Sequence, residues 1–322
     1  MLGKKYCNQL NNPFISICIP AYNVEAFVSQ TINCWLEQTY QNYEIIVVND
    51  QSTDDTLSIL SNIKSDKLKV LSVSNGGAAK ARNIAYNHSI GEFIIFFDAD
   101  DYIENTFLEE QIASILNIDN AIVLAEWGRF YNNDINTFKK ESSGLKEFTP
   151  ELWINTYWFN CNPMTNPGRA LIPKKVIEKA GLWNEELTLN DDLDFFTRIF
   201  LNVDRIIINQ KASLYYRSGV SGLSGVKSKK AYDSLFKSLK LSIDLVKSTT
   251  NNDKITQSCA NMWQSFIYEV YPQHDELLNQ AQKEINLLCP PTIKYSSGGI
   301  TKFFVEIFGW KSIKKLKYKL KN

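Results

Sequence analysis

Three aspartates, Asp98, Asp100 and Asp101, follow directly on the apolar run Phe93-Ile94-Ile95-Phe96-Phe97. Carboxylates this close repel one another, and burying one without compensation is costly. The run must therefore deliver them to a place where something neutralises them. The D-x-D spacing of Asp98 and Asp100 suits a divalent cation, and an oxygen donor set points to Mg²⁺ or Mn²⁺. Zinc has almost no ligands to draw on, because the chain holds only His88 and His274 and none of its six cysteines forms a C-x-x-C pair. The plainer reading of the same residues is an acidic loop capping a helix near Asn105, and D-x-D alone does not decide between the two. A second acidic group, Asp191, Asp192 and Asp194, reads as the first turn of a helix, where the dipole favours negative charge.

The elements that must position these groups alternate between strand and helix. Ile15–Ile19, Glu44–Asn49, Leu68–Val73 and Glu92–Phe97 read as strands, the first stopping at Pro20. Helical patterns follow each of them, over 26–37, from Ser52 or Thr53 to Ile63, over 78–87 and over 105–117, and a further strand spans 121–127. Alternating units of this kind predict an α/β fold with a mostly parallel sheet covered by helices on both faces. Ligands bind such sheets beyond the carboxyl ends of the strands. Pro20-Ala21-Tyr22-Asn23, Asp50, Asn75-Gly76-Gly77 and Asp98-Ala99-Asp100 all fall at such ends, so all four clusters are expected on one rim.

The chain has 322 residues, 44% apolar and 22% charged, which suits a folded protein and excludes wholesale disorder. Its net charge of zero gives no nucleic-acid signature. The zero hides an asymmetry: Lys302–Lys321 holds seven lysines and one acid, Glu306, so that stretch carries about +6 and the remainder about −6. The scattered cysteines suggest reduced thiols and a cytoplasmic protein. Met1–Asn12 has no apolar signal region, and no apolar run approaches the ~20 residues needed to span a bilayer. Helical periodicity dominates after Lys229, near 230–249, 253–270, 274–288 and 301–320, with a boundary in the Ser- and Gly-dense stretch near 217–228. Two regions are expected, 1–217 with the sheet and 218–322 helical, the latter packing on the first or on a second copy.

Five stretches resemble the inverting nucleotide-sugar glycosyltransferases of family 2, which have the GT-A fold: SICIPAYN (16–23), EIIVVNDQSTDDT (44–56), NGGAAKARNIA (75–85), GEFIIFFDADD (91–101) and AGLWNEELTLNDDLDFFTRI (180–199). They occur in family order and cover residues 14–217. The resemblance implies that Pro20, Tyr22 and Asn23 frame the nucleotide base and that Asp50 contacts it, although relatives often have two acids where this chain has Asn49-Asp50. It places Arg82 near the base and Asp50, Asp98 near the ribose and Asp100 on a Mn²⁺ or Mg²⁺ ion bridging the diphosphate. Asp192 matches the catalytic base, and Asp191 stands where relatives often have Glu. The segment 166–173, with Gly168, lines the sugar pocket or the acceptor side. No histidine occurs in 214–225, where some relatives have a metal contact, so the metal is expected on Asp100, phosphate and water, with Arg217 a partner for phosphate. Asp194 is assigned a structural role.

The implied reaction moves a sugar from a nucleotide diphosphate, with UDP favoured as carrier, to a hydroxyl of a saccharide or lipid-linked saccharide, as in bacterial polysaccharide assembly. A degenerate nucleotide-binding subunit and a nucleotidyltransferase are the alternatives. The second normally has a glycine-rich basic loop after its first strand, where this chain has Pro20-Ala21-Tyr22-Asn23. Past Lys311, Ile313, Leu316 and Leu320 share one arc of a helical wheel and lysines cover most of the rest, with an apolar segment upstream from Phe303 to Trp310. That pattern suits an anionic membrane surface and predicts a peripheral location at the inner face of the plasma membrane.

Overall fold

The computed structural model describes residues 12–141, 144–163, 165–219, 228–250 and 252–321. The chain divides into two compact units, Met1–Pro150 with Thr165–Gly225, and Glu151–Met164 with Val226–Asn322.

The first unit is built on one sheet. Its strands β1 (Ile15–Ala21), β2 (Tyr43–Asp50), β3 (Leu68–Val73) and β4 (Phe93–Phe96) are the four expected from the sequence. They lie in the order β3-β2-β1-β4 and are all parallel. Helices α1 (Val28–Leu36), α2 (Thr56–Asn62) and α3 (Ala78–Asn87) make the connections. Ile17, Ile46 and Ile95 are fully buried, as strands covered on both faces require.

β1 runs through Pro20, where the sequence predicts it to stop. The carbonyl of Cys18 accepts from the Phe97 N–H on the β4 side, so by period-two alternation Pro20 faces that side as well. Pairing with β4 ends at Cys18 and Phe96. The N–H that proline lacks therefore removes no ladder bond, and on the other side Pro20 stays in register with Val48.

Beyond β4 the sheet becomes mixed, where the sequence suggests a mostly parallel one. β9 (Ala170–Pro173) runs antiparallel to both β4 and β6 (Ala121–Tyr131), and β10 (Arg205–Ser218) runs parallel to β6. Two reversals restore the direction, so β6 and β10 end at the same rim as β1–β4. The short strands β5 (Tyr102–Ile103), β7 (Asp134–Glu141) and β8 (Glu147–Phe148) add antiparallel edges. α4 (Phe107–Ile115), α6 (Lys174–Ala180) and α7 (Asp191–Phe200) complete this unit.

The second unit is helical: α5 (Pro150–Tyr157), α8 (Lys229–Thr249), α9 (Asp253–Val270), α10 (Asp275–Asn286) and α11 (Gly299–Lys321). Ser228 and Asn252 cap α8 and α9 by accepting from the N–H groups of Ala231 and Ile255. Trp263, Phe266, Ile267 and Val270 are buried, so this stripe of α9 is core. The segment 151–164, which the sequence reading leaves with the sheet, belongs to the helices: Asn261 donates to the Phe159 carbonyl at 2.9 Å. α11 is not continuous, because Gly309 (φ 74°, ψ 151°) breaks it into two helices.

Gly168 lies in a single helical turn (Pro167–Arg169) leading into β9, where an added Cβ would meet Phe97 Cδ2 at 2.7 Å. Gly168→Ala is expected to cost about 1–3 kcal/mol in urea denaturation, because the Phe97 ring is held in the core. Gly76→Ala meets only the flexible end of Lys80, at 2.3 Å, and is expected to stay within about 0.5 kcal/mol of the parent. Equal costs for the two would rule out packing as the reason for glycine at position 168.

Candidate active site

The parallel strands bring the polar clusters at their ends together. Asp50, at the end of β2, is buried and accepts from the N–H groups of Gly76 and Gly77, one per carboxylate oxygen, both at 2.8 Å. It thereby holds the glycine turn that opens α3, where Gly77 has φ 86°. Asn23, at φ 50°, donates its N–H to Ser52 Oγ and accepts from the Thr53 N–H at 2.8 Å, fastening the end of β1 to the loop after β2. Pro20 is half-buried, and Tyr22 is 49% exposed on the rim rather than packed in the core.

Arg82 is the centre of the charge arrangement. The resemblance puts it beside Asp50; the structure gives its terminal nitrogens to Asp98 at 2.8 Å and Asp191 at 2.9 Å. Its guanidinium lies 4.4 Å from the centre of the Trp183 ring, which stacks on Phe195 at 4.1 Å. Burial opposes its charge, but Asp98 and Asp191 more than offset this and hold its pKa above the usual value. Its Nε is buried without a hydrogen-bond partner among the described residues. The neighbouring Asn83 holds Trp183 in place, accepting from its N–H and donating to its carbonyl.

The two acidic groups behave differently. Burial, then the charge of Asp191, pushes the Asp192 carboxyl up to about 7, with a hydrogen bond from the Leu193 N–H and Arg82 acting the other way. Burial, then Asp98, pushes Asp100 up to about 6. Asp101 is raised well above the carboxylate range by burial and then by Asp100 and Asp98. It faces inward, accepting from the Arg217 N–H at 3.0 Å and from Asn166 Nδ2 at 3.3 Å. Asp194 pairs with Arg198 at 2.8 Å, and Arg198 also donates to the carbonyls of Ala180, Gly181 and Leu182. That network fixes α7 against the loop before it, a structural role.

Two candidates are placed away from the expected contacts. Arg217 is buried, with its guanidinium between the rings of Phe27 and Phe130, 4.6 Å from each. Its Nε donates to the Asp100 carbonyl at 2.6 Å and its terminal nitrogens to Gln30 and Asn133. Every guanidinium nitrogen thus serves a protein acceptor, so Arg217 clamps the aspartate loop from inside. Gly168 is buried against Phe97 and Leu214, and its N–H donates to Asn166 Oδ1, which takes it out of a sugar pocket. Sequence reasoning named Asp101 without its supporting role, and missed Trp183, Asn83 and Thr31, whose Oγ1 donates to the carbonyls of Ala99 and Asp101. Trp183 and Asn83 lie inside quoted motifs, so their position was a signal; Thr31 gave none.

Among the described residues no three His, Cys, Asp or Glu side chains converge as a metal-binding group. The donor chemistry still fits a divalent ion. Asp100 is a carboxylate whose ionisation burial and Asp98 disfavour, and an added cation relieves both. One oxygen of Asp98 is committed to Arg82, so Asp100 would be the main protein ligand, with phosphate oxygens and water completing the shell.

Residues 16–180 match the glycosyl transferase family 2 domain. An uncharacterized glycosyltransferase of Haemophilus influenzae is 31% identical over 241 residues, covering 73% of this chain and 92% of that protein. The poly(ribitol-phosphate) beta-N-acetylglucosaminyltransferase TarS of Staphylococcus aureus is 28% identical over 214 residues, covering 64% of this chain but only 36% of TarS. The crystal structure of S. aureus TarS 1-349 in complex with UDP-GlcNAc superposes with TM-score 0.69 at 23% identity, over 86% of this chain and 82% of that one, which shows a shared fold.

The charge arrangement makes two stability predictions. Arg82→Ala leaves Asp98 and Asp191 facing each other without a cation, and is expected to cost about 1–3 kcal/mol in urea at neutral pH. The figure stays below that for a fully buried pair because the Asp98 and Asp191 side chains keep 26% and 19% exposure. Asp192 titrates at about 7 in the folded chain and near about 3.9 when unfolded. Between those values the folded chain holds a proton that the unfolded chain has lost, so stability falls as pH rises through the window. Asp192→Asn is therefore expected to raise Tm by about 2 °C or more at about pH 8 and to leave it unchanged at about pH 4. A shift of the same size at both pH values would show that ionisation of Asp192 is not what destabilises the site.

Proposed function

The chain belongs to glycosyl transferase family 2, and from that premise we propose a single-displacement transfer in which Asp192 takes the proton of the attacking acceptor hydroxyl. The chain is a glycosyltransferase that uses a nucleotide-sugar donor. The observation that carries the finer reading is Asp192 itself: a carboxyl raised to about 7 next to the Arg82–Asp98–Asp191 network. A base with that pKa is matched to removing a proton near neutral pH.

The proposed donor is a UDP-sugar, by analogy with TarS, whose structures hold UDP-GlcNAc and UDP. Tyr22, Pro20, the glycine turn held by Asp50 and the loop held by Asn23 would frame the base, and Asp98 would face the ribose. A divalent ion on Asp100 would supply Lewis-acid stabilisation of the departing diphosphate. Asp192 accepts the hydroxyl proton as the acceptor oxygen bonds to the anomeric carbon. The bond from that carbon to the diphosphate oxygen breaks in the same displacement, and its electron pair leaves with the nucleoside diphosphate. Attack from the face opposite the leaving group inverts the anomeric centre and needs no covalent enzyme intermediate. Holding donor and acceptor in line supplies much of the remaining rate. The proposed acceptor is a hydroxyl of a saccharide or lipid-linked saccharide, the latter placing the enzyme at the inner face of the plasma membrane.

The test is release of nucleoside diphosphate from a nucleotide-sugar panel, with Mn²⁺ or EDTA and with lipid-linked acceptor extract. Asp192→Asn is expected to lower kcat by about 10²–10⁴-fold while leaving donor KM within a few-fold. In the parent enzyme, kcat/KM should rise as pH passes through about 7, because the base must be ionised. EDTA should abolish turnover and excess Mn²⁺ restore it. Tight donor binding with no release under any of these conditions would instead favour a nucleotide-binding subunit without turnover.

A further inference from the structure

α11 carries a surface that the sugar-transfer chemistry does not use. Within its first helix, Ile300, Phe303, Phe304, Ile307 and Phe308 recur at the i, i+3, i+4, i+7, i+8 spacing of a single apolar face. Such a face normally lies against a core. Here it is turned outward, with exposures of 78%, 60%, 42%, 55% and 58% along that series. Phe303 and Phe308 both pack on Phe304, so the aromatic part of the stripe is continuous. The face opposite the stripe holds the exposed Lys302 and Glu306, and Val305 at the stripe's edge is more protected.

The second helix is fixed in place. Trp310 lies among the rings of Tyr268, Tyr271 and Tyr295, with centres 4.8, 5.2 and 5.6 Å away. Lys314 donates to the carbonyls of Tyr268 and Glu269. One lysine of the tail is thus spent on docking, while Lys302, Lys311, Lys315, Lys317 and Lys319 remain exposed. Lys317 donates to Thr301 Oγ1 at 3.2 Å, so the two helices fold back at Gly309 and Lys317 reaches the first helix beside the apolar stripe. No described helix is long and apolar enough to cross a membrane.

We propose that the outward stripe Ile300–Phe308 inserts into the headgroup layer of an anionic bilayer while the exposed lysines of the docked helix contact its phosphates. The charge decides the occupant. An acidic lipid surface uses both features at once, the five large outward apolar side chains and the exposed lysines of the docked helix. Phenylalanines on the apolar face suit a helix lying in the same interface. The sequence pattern joins the arc Ile313, Leu316 and Leu320 with the apolar segment upstream of it; the structure shows that the helix before Gly309 carries the continuous outward stripe, while Trp310 and Lys314 anchor the later helix, on which Leu316 and Leu320 are also exposed. The inference stands independently of the transferase mechanism, because lipid binding is read without turnover.

The test is flotation of the full chain with phosphatidylglycerol-containing vesicles and with phosphatidylcholine vesicles, at low and high salt. The parent should float with the anionic vesicles and lose most binding at high salt. Phe303→Ser with Ile307→Ser should weaken vesicle partition by at least about tenfold, since both side chains lie in the proposed insertion face. Lys311→Gln with Lys315→Gln should weaken it on anionic vesicles only. Both variants alter exposed residues, so Tm and release of nucleoside diphosphate from soluble substrates should match the parent. Failure of the parent to float, or equal flotation of the stripe variant, overturns the proposal. So does a concentration-dependent dimer in sedimentation velocity that the stripe variant abolishes, since the stripe would then join two copies of this chain.

Discussion

One buried cation holds the candidate site together. Asp98 arrives at the end of β4 and Asp191 at the start of α7, and Arg82 on α3 bonds both. Without it, two carboxylates would be held close together in a partly desolvated place, each raising the cost of the other. The arginine fork suits this position because its terminal nitrogens diverge, so one side chain serves two acids from different elements. Its flat face also rests on Trp183, whose ring stacks on Phe195 in α7. The same residue therefore joins the two acidic groups electrically and packs the helix that carries one of them.

A second arginine performs the complementary task from within. Arg217, at the end of β10, reaches the aspartate loop only because two antiparallel steps through β9 return β6 and β10 to the direction of β4. Its N–H bonds the Asp101 carboxylate and its Nε bonds the Asp100 carbonyl. With Thr31 holding the carbonyls of Ala99 and Asp101, the loop is gripped from α1 and β10 together. Asp101 belongs to that internal support, which leaves Asp98 and Asp100 as the outward members of the three. The acidic run thus divides by direction: one carboxylate stabilises the loop that presents the other two.

The parallel half of the sheet was legible because each strand is an apolar run of the right length ending in polar residues. β5 and β8 were not, since two-residue strands have no periodicity to read. The acidic motifs were legible as types, but their partners were not: Arg82 and Asp191 are 109 positions apart, and no local pattern reports such a contact. Arg217 shows the same limit from the other side, since a cation near a phosphate site and a cation buried as a clamp look alike in sequence. The outward stripe of α11 was hidden by Gly309. A glycine inside a helical pattern reads as tolerated, so 301–320 looked like one helix and its two apolar arcs blurred. Once the backbone turns at φ 74°, each half has its own phase, and the first half shows a single face.

Asp191 and Asp192 are adjacent in sequence, and only their angular position on α7 makes them different. Successive side chains on a helix point about 100° apart, so turning α7 by that angle would offer Asp192 to Arg82 and leave Asp191 without a cation. The rotation is set elsewhere on the helix. Phe195, Phe196 and Ile199 are buried, and Trp183 stacks on Phe195. The Asp194–Arg198 pair adds a second fixing point through the carbonyls of Ala180, Gly181 and Leu182. These contacts lie on residues with no place in the proposed chemistry, yet they decide which aspartate bonds Arg82 and which is left with its proton held up to about 7. Two identical side chains acquire two roles because their surroundings differ, and here the surroundings are fixed by the packing of an aromatic face and one arginine at the far end of the same helix.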